Sequence, residues 1–294
     1  MATLQTLKIR IKSVKSTQKM TNAMKLVSAS KLRKAKEGVI ALRPYASKIK
    51  EIVDNVAGNM AVKGQVLTDF PLLSGFKEKT NQHLLVVISS DRGLCGGLNS
   101  SVVKIVKNKI SQLQQVGEQV KIICIGKKSY EQLFAQYKNL IIEYIPEVFK
   151  NQVKYQAAKE ISDKIINIFI EHKFDFCDII YNEFKSAIVQ DVIQEQIIPV
   201  VVNTNNVSNS ALHYEQNKTV LLSSILPENI TSQVFHALLE NSASEYGARM
   251  AAMEAATTNA NKMIKSLTLT YNRLRQANIT KELIDIVSGA NAAA

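Results

Sequence analysis

A glycine-rich segment in the middle of the chain is the strongest candidate for chemistry. It reads SSDRGLCGG from Ser89 to Gly97 and lies between a predicted strand and a predicted helix, where α/β folds often bind phosphate. Its glycines have the spacing G-x-x-G-G, which differs from the dinucleotide-binding G-x-G-x-x-G and the phosphate loop G-x-x-x-x-G-K-[ST]. The spacing favours a tight turn whose glycines take positive φ, with nucleotide binding as the weaker alternative.

Other residue types that catalyse reactions or bind metals are too scattered to indicate a site. No G-x-S-x-G nucleophile motif is present, and the three cysteines lack the CxxC spacing of a zinc or redox site. An odd number of cysteines is typical of a reducing compartment. The four histidines show no metal-binding pair; they are His83, His172, His213 and His236. The sequence therefore predicts no catalytic, cofactor-binding or metal-ligating residues and no cofactor.

Positive charge is concentrated at the start of the chain. The 294 residues carry a net charge of +12, and residues 1–50 hold 13 basic side chains against one acidic side chain, Glu37. This segment is expected to face something acidic: nucleic acid, anionic lipid or a protein surface. Because it is rich in Lys and its first aromatic residue is Tyr45, an acidic protein surface is favoured over nucleic acid. A transit peptide is disfavoured because the helical pattern runs through it without a break.

Heptad-spaced residues predict one long helix at each end of the chain. Each helix of ~55–60 residues would be roughly 85 Å long, longer than a compact domain of the intervening size, so an antiparallel pair is the simplest arrangement. The seam of the first helix alternates Leu4, Ile11, Gln18, Lys25, Leu32, Val39, Ala46 and Val53 with Leu7, Val14, Thr21, Ser28, Ala35, Leu42, Ile49 and Val56. From Gln18 to Ser28 this seam is polar, and we expect the helix to turn another face to its neighbour there. The second pattern begins after Pro227. Its seam alternates Leu239, Tyr246, Met253, Ala260, Leu267 and Leu274 with Ala256, Met263, Thr270, Ala277 and Ile284.

The middle of the chain alternates short apolar runs with helical patterns, which predicts a mainly parallel sheet covered on both faces. The predicted strands are His83–Ile88, Val120–Ile125, Leu140–Ile145, Asp178–Phe184 and Ile197–Val202. The predicted fold class is α/β with long helices: an antiparallel two-helix coiled coil with an inserted, Rossmann-like α/β domain. The predicted organisation is a coiled-coil helix over 1–58, the inserted domain over 75–210 and a coiled-coil helix over 228–288. No uncharged apolar run reaches the ~20 residues that span a bilayer.

Three segments together resemble the gamma subunit family of F-type (H+-transporting) ATP synthase. They are IKSVKSTQKMTNAMKLVSASKLRKAK near the start, SSDRGLCGG in the centre, and ASEYGARMAAMEAATTNANKMIKSLTLTYNRLRQANITKELIDIVSG near the end. The resemblance implies a rotating shaft that enters a hexamer of three alpha and three beta subunits. It also implies contacts with the epsilon subunit and the membrane ring of c subunits. Catalysis would belong to the beta subunits, so this chain would be a non-catalytic subunit in proton-driven ATP synthesis.

The resemblance also implies roles for individual residues. Contacts with the hexamer are expected at Met24, Lys25, Arg249, Arg275, Gln276 and Thr280. An apolar bearing is expected at Leu283, Ile284 and Val287. The central family loop comprises Asp91, Arg92, Gly93, Cys95, Gly96 and Gly97, and a contact with the rotor ring is expected at Tyr214 and Glu215.

The expected location is the periphery of a membrane. The lack of a removable leader favours the cytoplasmic face of a bacterial inner membrane, and the matrix face of the mitochondrial inner membrane stays open as the alternative. A basic coiled-coil protein that binds nucleic acid and a nucleotide-binding α/β enzyme remain the alternative functions.

Overall fold

The computed structural model describes residues 3–62, 70–202 and 218–293. Two very long helices, α1 and α6, flank five strands and four shorter helices within these residues. In chain order the elements are α1 (Leu4–Val62), α2 (Pro71–Ser74), β1 (Gln82–Ile88), α3 (Leu98–Gln115), β2 (Gln119–Ile125), α4 (Lys127–Tyr137), β3 (Ile141–Ile145), α5 (Tyr155–His172), β4 (Phe176–Phe184), β5 (Gln190–Ile198) and α6 (Lys218–Ala293). The second long helix thus begins before Pro227, which lies inside it.

The chain divides into two compact units. One comprises Met1–Ser28 with Met250–Ala294, and the other comprises Ala29–Arg249. The first unit therefore contains only the outer parts of α1 and α6, and the second contains the sheet with the inner parts of both helices. This combination of long terminal helices and a central sheet is the predicted α/β fold class.

The sheet in the second unit has the strand order β3-β2-β1-β4-β5. Strand β1 runs parallel to β2 and β4, and β2 runs parallel to β3, which confirms the mainly parallel sheet. The last strand differs from the prediction: it is Gln190–Ile198, antiparallel to β4, rather than Ile197–Val202. A strand at the edge of a sheet is half solvated, so the polar run QDVIQEQ can form it without the apolar character that marks a central strand.

Helices cover both faces of the sheet. On one face, α3 and α4 pack against side chains such as Leu85, Val87 and Ile180. On the other face, α5 and the inner parts of α1 and α6 pack against side chains such as Leu84 and Val86. Each side chain from His83 to Ile88 is therefore buried on one face or the other, which explains why the run HLLVVI has no polar alternation.

The inner part of α1 buries the predicted heptad seam. Ala46 of this seam is half-buried, and its other apolar residues are less than one-tenth exposed: Leu32, Ala35, Val39, Leu42, Ile49, Val53 and Val56. Most of them belong to the hydrophobic core that covers one face of the sheet. The heptad residues of this part of the helix therefore pack within the second unit.

The outer part of α1 keeps the same seam through its polar stretch. Thr21 and Ser28 are buried, whereas Met20 is 63% exposed, so the prediction that the helix turns another face between Gln18 and Ser28 is wrong. The reason is a hydroxyl pair inside the first unit: Thr21 Oγ1 and Thr257 Oγ1 lie 2.7 Å apart. Two hydroxyl groups that form a hydrogen bond with each other can take seam positions that are usually apolar.

The outer part of α6 follows only one of its two predicted seam series. Met253 and Ala260 are buried, and Leu267 and Leu274 are half-buried. The second predicted series includes Met263, but Met263 is 48% exposed. The next residue, Ile264, is half-buried in its place. A straight helix drifts relative to a strict seven-residue repeat, which shifts the buried position by one residue.

Within the ranges that the structure describes, no helix combines the length and the apolarity needed to cross a bilayer.

Candidate functional site

The central loop follows β1 and is held by hydrogen bonds that link Ser90, Arg92 and Asn99. Asn99, in the first turn of α3, accepts a hydrogen bond from the Ser90 backbone N–H at 3.1 Å. The Asn99 amide donates to Ser90 Oγ at 2.8 Å, and the Ser90 hydroxyl lies 2.6 Å from the Arg92 carbonyl. Because Ser90 and Asn99 are both buried, these bonds fix the start of the loop to α3.

Asp91 connects this loop to the ends of two neighbouring strands. Its carboxylate accepts backbone N–H groups from Lys127 at 3.1 Å, Glu147 at 3.3 Å and Phe149 at 3.0 Å. Lys127 follows β2, and Glu147 and Phe149 follow β3. One carboxylate therefore binds three donors at the carboxyl edge of the parallel strands.

The N-terminal N–H groups of α4, which also lie at this edge, are occupied by the chain itself. The first N–H groups of α4 are bound by residues of the loop: Lys127 by Asp91, Lys128 by the Ser90 carbonyl at 3.0 Å, and Ser129 by Ser89 Oγ at 2.8 Å. The helix N-terminus thus has no free donors for an anion. Of the three loop glycines, Gly96 has the expected positive φ, at 60°, whereas Gly97 has φ −86° and the other positive φ of the loop belongs to Leu94.

Arg249 binds the loop to α6. Its guanidinium donates to the Gly93 carbonyl at 3.1 Å and to Glu245, one turn earlier on α6, at 2.6 Å. Arg249 and Glu245 are buried, and Glu245 Oε2 has no hydrogen-bond partner among the described residues. Burial raises the pKa of Glu245, and the adjacent Arg249 charge opposes that rise. The resemblance implied that Arg249 contacts the hexamer. In the structure its guanidinium forms hydrogen bonds within this chain.

Cys95 is packed into this junction, where burial disfavours the thiolate form. It forms a small buried cluster with Leu98 and Ala248, and burial raises the pKa of its thiol despite the opposing Ser90 hydrogen bond and Arg249 charge. A protonated buried thiol is a poor nucleophile. The neighbouring Leu94 is 63% exposed and has φ 64°, so the tip of the loop presents an apolar side chain to solvent.

In the first unit, Met24 and Lys25 lie near the buried hydroxyl pair. Lys25 forms an ion pair with Glu254 of α6. Met24 is half-buried, and its carbonyl accepts the Ser28 hydroxyl at 2.8 Å. Lys25 is therefore held by the partner helix while part of its side chain remains accessible.

The residues expected near the end of α6 share one exposed segment. Arg275 and Gln276 are exposed, and their side chains make no hydrogen bond or ion pair within the ranges that the structure describes. Thr280 bonds back to the Gln276 carbonyl at 3.0 Å. Leu283, Ile284 and Val287 are each more than half exposed. Three large apolar side chains on one solvent-exposed helix end mark a surface that needs a partner.

Known proteins match this chain over almost its whole length. A family model described as ATP synthase matches residues 3–293. The ATP synthase gamma chain of Pelagibacter ubique is 45% identical over 294 residues, covering 99% of this chain and 100% of the relative. The chain belongs to the ATP synthase gamma chain family. The gamma chain of Rhodospirillum rubrum is similarly related, at 43% identity over 302 residues with 99% and 100% coverage.

Chains in solved structures of mitochondrial ATP synthases have a similar fold. A chain from the central stalk and c-ring structure of Tetrahymena thermophila mitochondrial ATP synthase is 25% identical, with a TM-score of 0.60, covering 81% of this chain and 99% of that one. A chain from the OSCP/F1/c-ring structure of Euglena gracilis mitochondrial ATP synthase, in rotational state 3, is 20% identical. Its TM-score is 0.65, and the match covers 98% of this chain and 94% of that one.

Tyr214 and Glu215, the expected contact with the rotor ring, lie outside the described residues.

Sequence reasoning missed a buried polar cluster in the second unit. The ring nitrogens of His83 lie 3.1 Å from Glu118 and 3.0 Å from Asp178, and Asp178 also accepts from Gln194 at 2.7 Å. Lys109 Nζ is 3.5 Å from Asp178. These residues come from four different elements and the turn before β2, so no local motif could identify them. Among the described residues, no group of His, Cys, Asp and Glu is arranged to hold a metal ion.

Proposed function

We propose that this chain is the central rotor shaft of an F-type ATP synthase. The observation that carries the proposal is the match to ATP synthase gamma chains over residues 3–293. The shaft would turn inside a hexamer of three alpha and three beta subunits and couple transmembrane proton flow to ATP synthesis. The nucleic-acid and nucleotide-enzyme alternatives gain no support from any relative or structure named above.

The physical basis of coupling is unequal contact. Three otherwise identical catalytic sites differ only if something asymmetric touches each of them differently, and a pair of helices has no three-fold symmetry. Reversing a two-state preference from 99:1 to 1:99 requires ~5.5 kcal/mol of differential interaction. The free donors of Arg275 and Gln276 and the exposed side chains of Leu283, Ile284 and Val287 are suited to supply part of that energy.

The same thermodynamic coupling acts in both directions. If the angle of the shaft changes nucleotide affinity in the hexamer, nucleotide binding must favour particular angles of the shaft. The chain would therefore serve ATP synthesis and ATP hydrolysis while remaining non-catalytic itself.

The proposed partners are the alpha and beta subunits, the epsilon subunit and the ring of c subunits. The proposed location is the cytoplasmic face of a bacterial inner membrane, in peripheral association, and the bacterial origin of the relatives named above supports this choice over a mitochondrial matrix. Met24 and Lys25 of α1, with Arg249 of α6, are proposed to belong to the segment that passes the acidic loops of the beta subunits, and Arg249 also positions the central loop.

Affinity purification from detergent-solubilised membranes tests the proposal. A tag on this chain is expected to recover three alpha and three beta chains per copy, together with ATP hydrolysis activity. The purified chain alone is expected to hydrolyse no ATP. Recovery of nucleic acid without alpha and beta chains, or ATP hydrolysis by the chain alone, would refute the assignment.

A further inference from the structure

A cavity of about 230 Å³ lies in the second unit between α1, the segment before α5 and α6. Its floor consists of buried side chains: Ala35, Val153, Leu239 and Ser242. Three lysines stand around it, Lys31 and Lys34 from α1 and Lys150 from the segment after β3. The cavity is therefore a recess with an ordered floor and a positively charged rim.

The lining offers hydrogen-bond donors and no carboxylate. Besides the lysines, it contains the amides of Asn151 and Gln152 and the hydroxyls of Ser242 and Tyr246. Of the three lysines only Lys150 forms an ion pair with a described residue, Glu147 at 3.2 Å. Lys31 lies over the Tyr246 ring, 5.4 Å from its centroid. Lys31 and Lys34 lie three residues apart on α1, where like charges repel each other, and an anion in the recess would reduce that repulsion.

Ser242 is the most specific indication of a ligand. It is only 7% exposed, it lines the cavity, and its hydroxyl makes no hydrogen bond to any residue in the described part of the chain. Because this hydroxyl lines the recess and has no partner within the described residues, it is available to a bound ligand. An oxyanion in the recess would accept this hydroxyl hydrogen together with lysine N–H groups.

We propose that the recess binds free inorganic phosphate. Its several acceptor oxygens match ammonium, amide and hydroxyl donors that converge from three segments, and lysine acts on phosphate as a point charge. A nucleotide fits less well, because the only aromatic side chain of the lining, Tyr246, has Lys31 over its ring and offers no free face for a base. This site is separate from the proposed hexamer contacts and does not depend on them.

Calorimetric titration of the full-length chain with sodium phosphate, at ionic strength held constant with sodium chloride, tests the proposal. Saturable binding of one phosphate per chain is expected. Lys34→Gln should weaken it about tenfold, and Ser242→Ala about three- to tenfold, since each removes one donor to a charged acceptor. Neither side chain bonds to the fold, so circular dichroism should show unchanged melting for both variants.

Lys104→Gln is the matched control, because it removes one exposed lysine from α3 on the opposite face of the sheet. It should leave phosphate binding unchanged. The proposal would be overturned by binding that does not saturate, by equal loss in the Lys104→Gln and Lys34→Gln variants, or by no loss in Ser242→Ala. Tighter binding of ADP than of phosphate would also overturn it, in favour of a nucleotide site.

Discussion

Arg249 and Glu245 form a buried ion pair on one face of α6, with 2.6 Å between Arg249 Nη2 and Glu245 Oε1. The same guanidinium nitrogen donates to the Gly93 carbonyl at 3.1 Å. One side chain therefore neutralises a buried carboxylate and anchors the central loop. These two effects can be separated experimentally.

Arg249→Met is expected to lower the free energy of unfolding by about 3–5 kcal/mol, because it leaves the Glu245 carboxylate buried and unpaired. The double variant Glu245→Gln/Arg249→Met should lose less, since no buried charge remains. Urea denaturation measures both. Amide hydrogen exchange over residues 92–97 should accelerate in both variants, because both lose the anchor on Gly93. Slow exchange in the double variant would contradict the anchoring role.

Gly126→Ala is expected to be much more costly than Gly117→Ala. Both glycines have positive φ, 94° and 88°, so each substitution carries backbone strain, and Gly126, with ψ 150°, lies in a region that is used almost only by glycine and costs about 1–3 kcal/mol. A Cβ at Gly126 would in addition lie 2.2 Å from the Ser89 carbonyl oxygen, whereas a Cβ at Gly117 meets nothing within 4 Å. Thermal unfolding should show a clearly larger loss for Gly126→Ala. Equal losses would mean that β2 and the loop after β1 are not packed as described.

The hydroxyl pair of Thr21 and Thr257 can be tested by a double-mutant cycle. Thr21→Val alone should cost about 1–2 kcal/mol, because Thr21 is buried and the Thr257 hydroxyl loses a partner. Thr21→Val with Thr257→Val should cost less than the sum of the single changes, since both hydroxyls are then replaced by methyl groups of similar shape. Thermal unfolding of the full chain gives the coupling energy. Strict additivity would rule out a direct interaction.

The Asp178 carboxyl makes the free energy of unfolding depend on pH in the acid range. Burial alone raises the pKa of Asp178, but the His83 hydrogen bond and the charges of His83 and Lys109 outweigh burial and hold the pKa below its ordinary value of 3.8. A carboxyl whose folded pKa is depressed contributes stability that is complete above its unfolded pKa and is lost as the pH falls through its folded pKa.

Asp178→Asn should therefore reduce the dependence of unfolding free energy on pH between about pH 5 and pH 2. At neutral pH the same substitution should cost about 1–3 kcal/mol, because the buried cluster loses its charged acceptor. Urea denaturation at a series of pH values measures both quantities. Asp163→Asn, which removes an exposed carboxyl from α5, is the control. Identical pH profiles for the two variants would show that the His83 cluster does not shift Asp178.

Arg275→Ala is expected to impair coupled ATP synthesis in reconstituted complexes by about tenfold, the effect of losing one charged hydrogen bond. Arg275→Lys should restore little, because lysine cannot bind a carboxylate through two parallel N–H groups. Gln276→Ala should act in the same direction. The stability of the isolated chain should not change, since both side chains are exposed and bond to nothing among the described residues.

Arg273→Ala removes another exposed arginine of the same helix and serves as the control. ATP synthesis driven by an imposed proton gradient, with assembly verified by subunit stoichiometry, gives the readout. Normal synthesis by assembled Arg275→Ala complexes would remove Arg275 from the coupling mechanism.

The sequence by itself determined the long helices, the central α/β unit and the family. Helix and strand periods are local properties, so the seam residues from Leu32 to Val56 and the buried run HLLVVI could be recognised directly. The family motifs are likewise continuous stretches of chain. Local patterns could not identify β5, because an edge strand need not be apolar.

Only the tertiary structure decided which distant side chains meet. Arg249 and Gly93 are separated by 156 positions, and the phosphate recess draws its donors from three separate segments. The seam prediction failed at Thr21 for the same reason, since its hydroxyl is satisfied by Thr257, 236 positions away. Whether a polar group is tolerated in a buried place depends on the partner it finds there, and that partner is set by packing rather than by neighbours in the sequence.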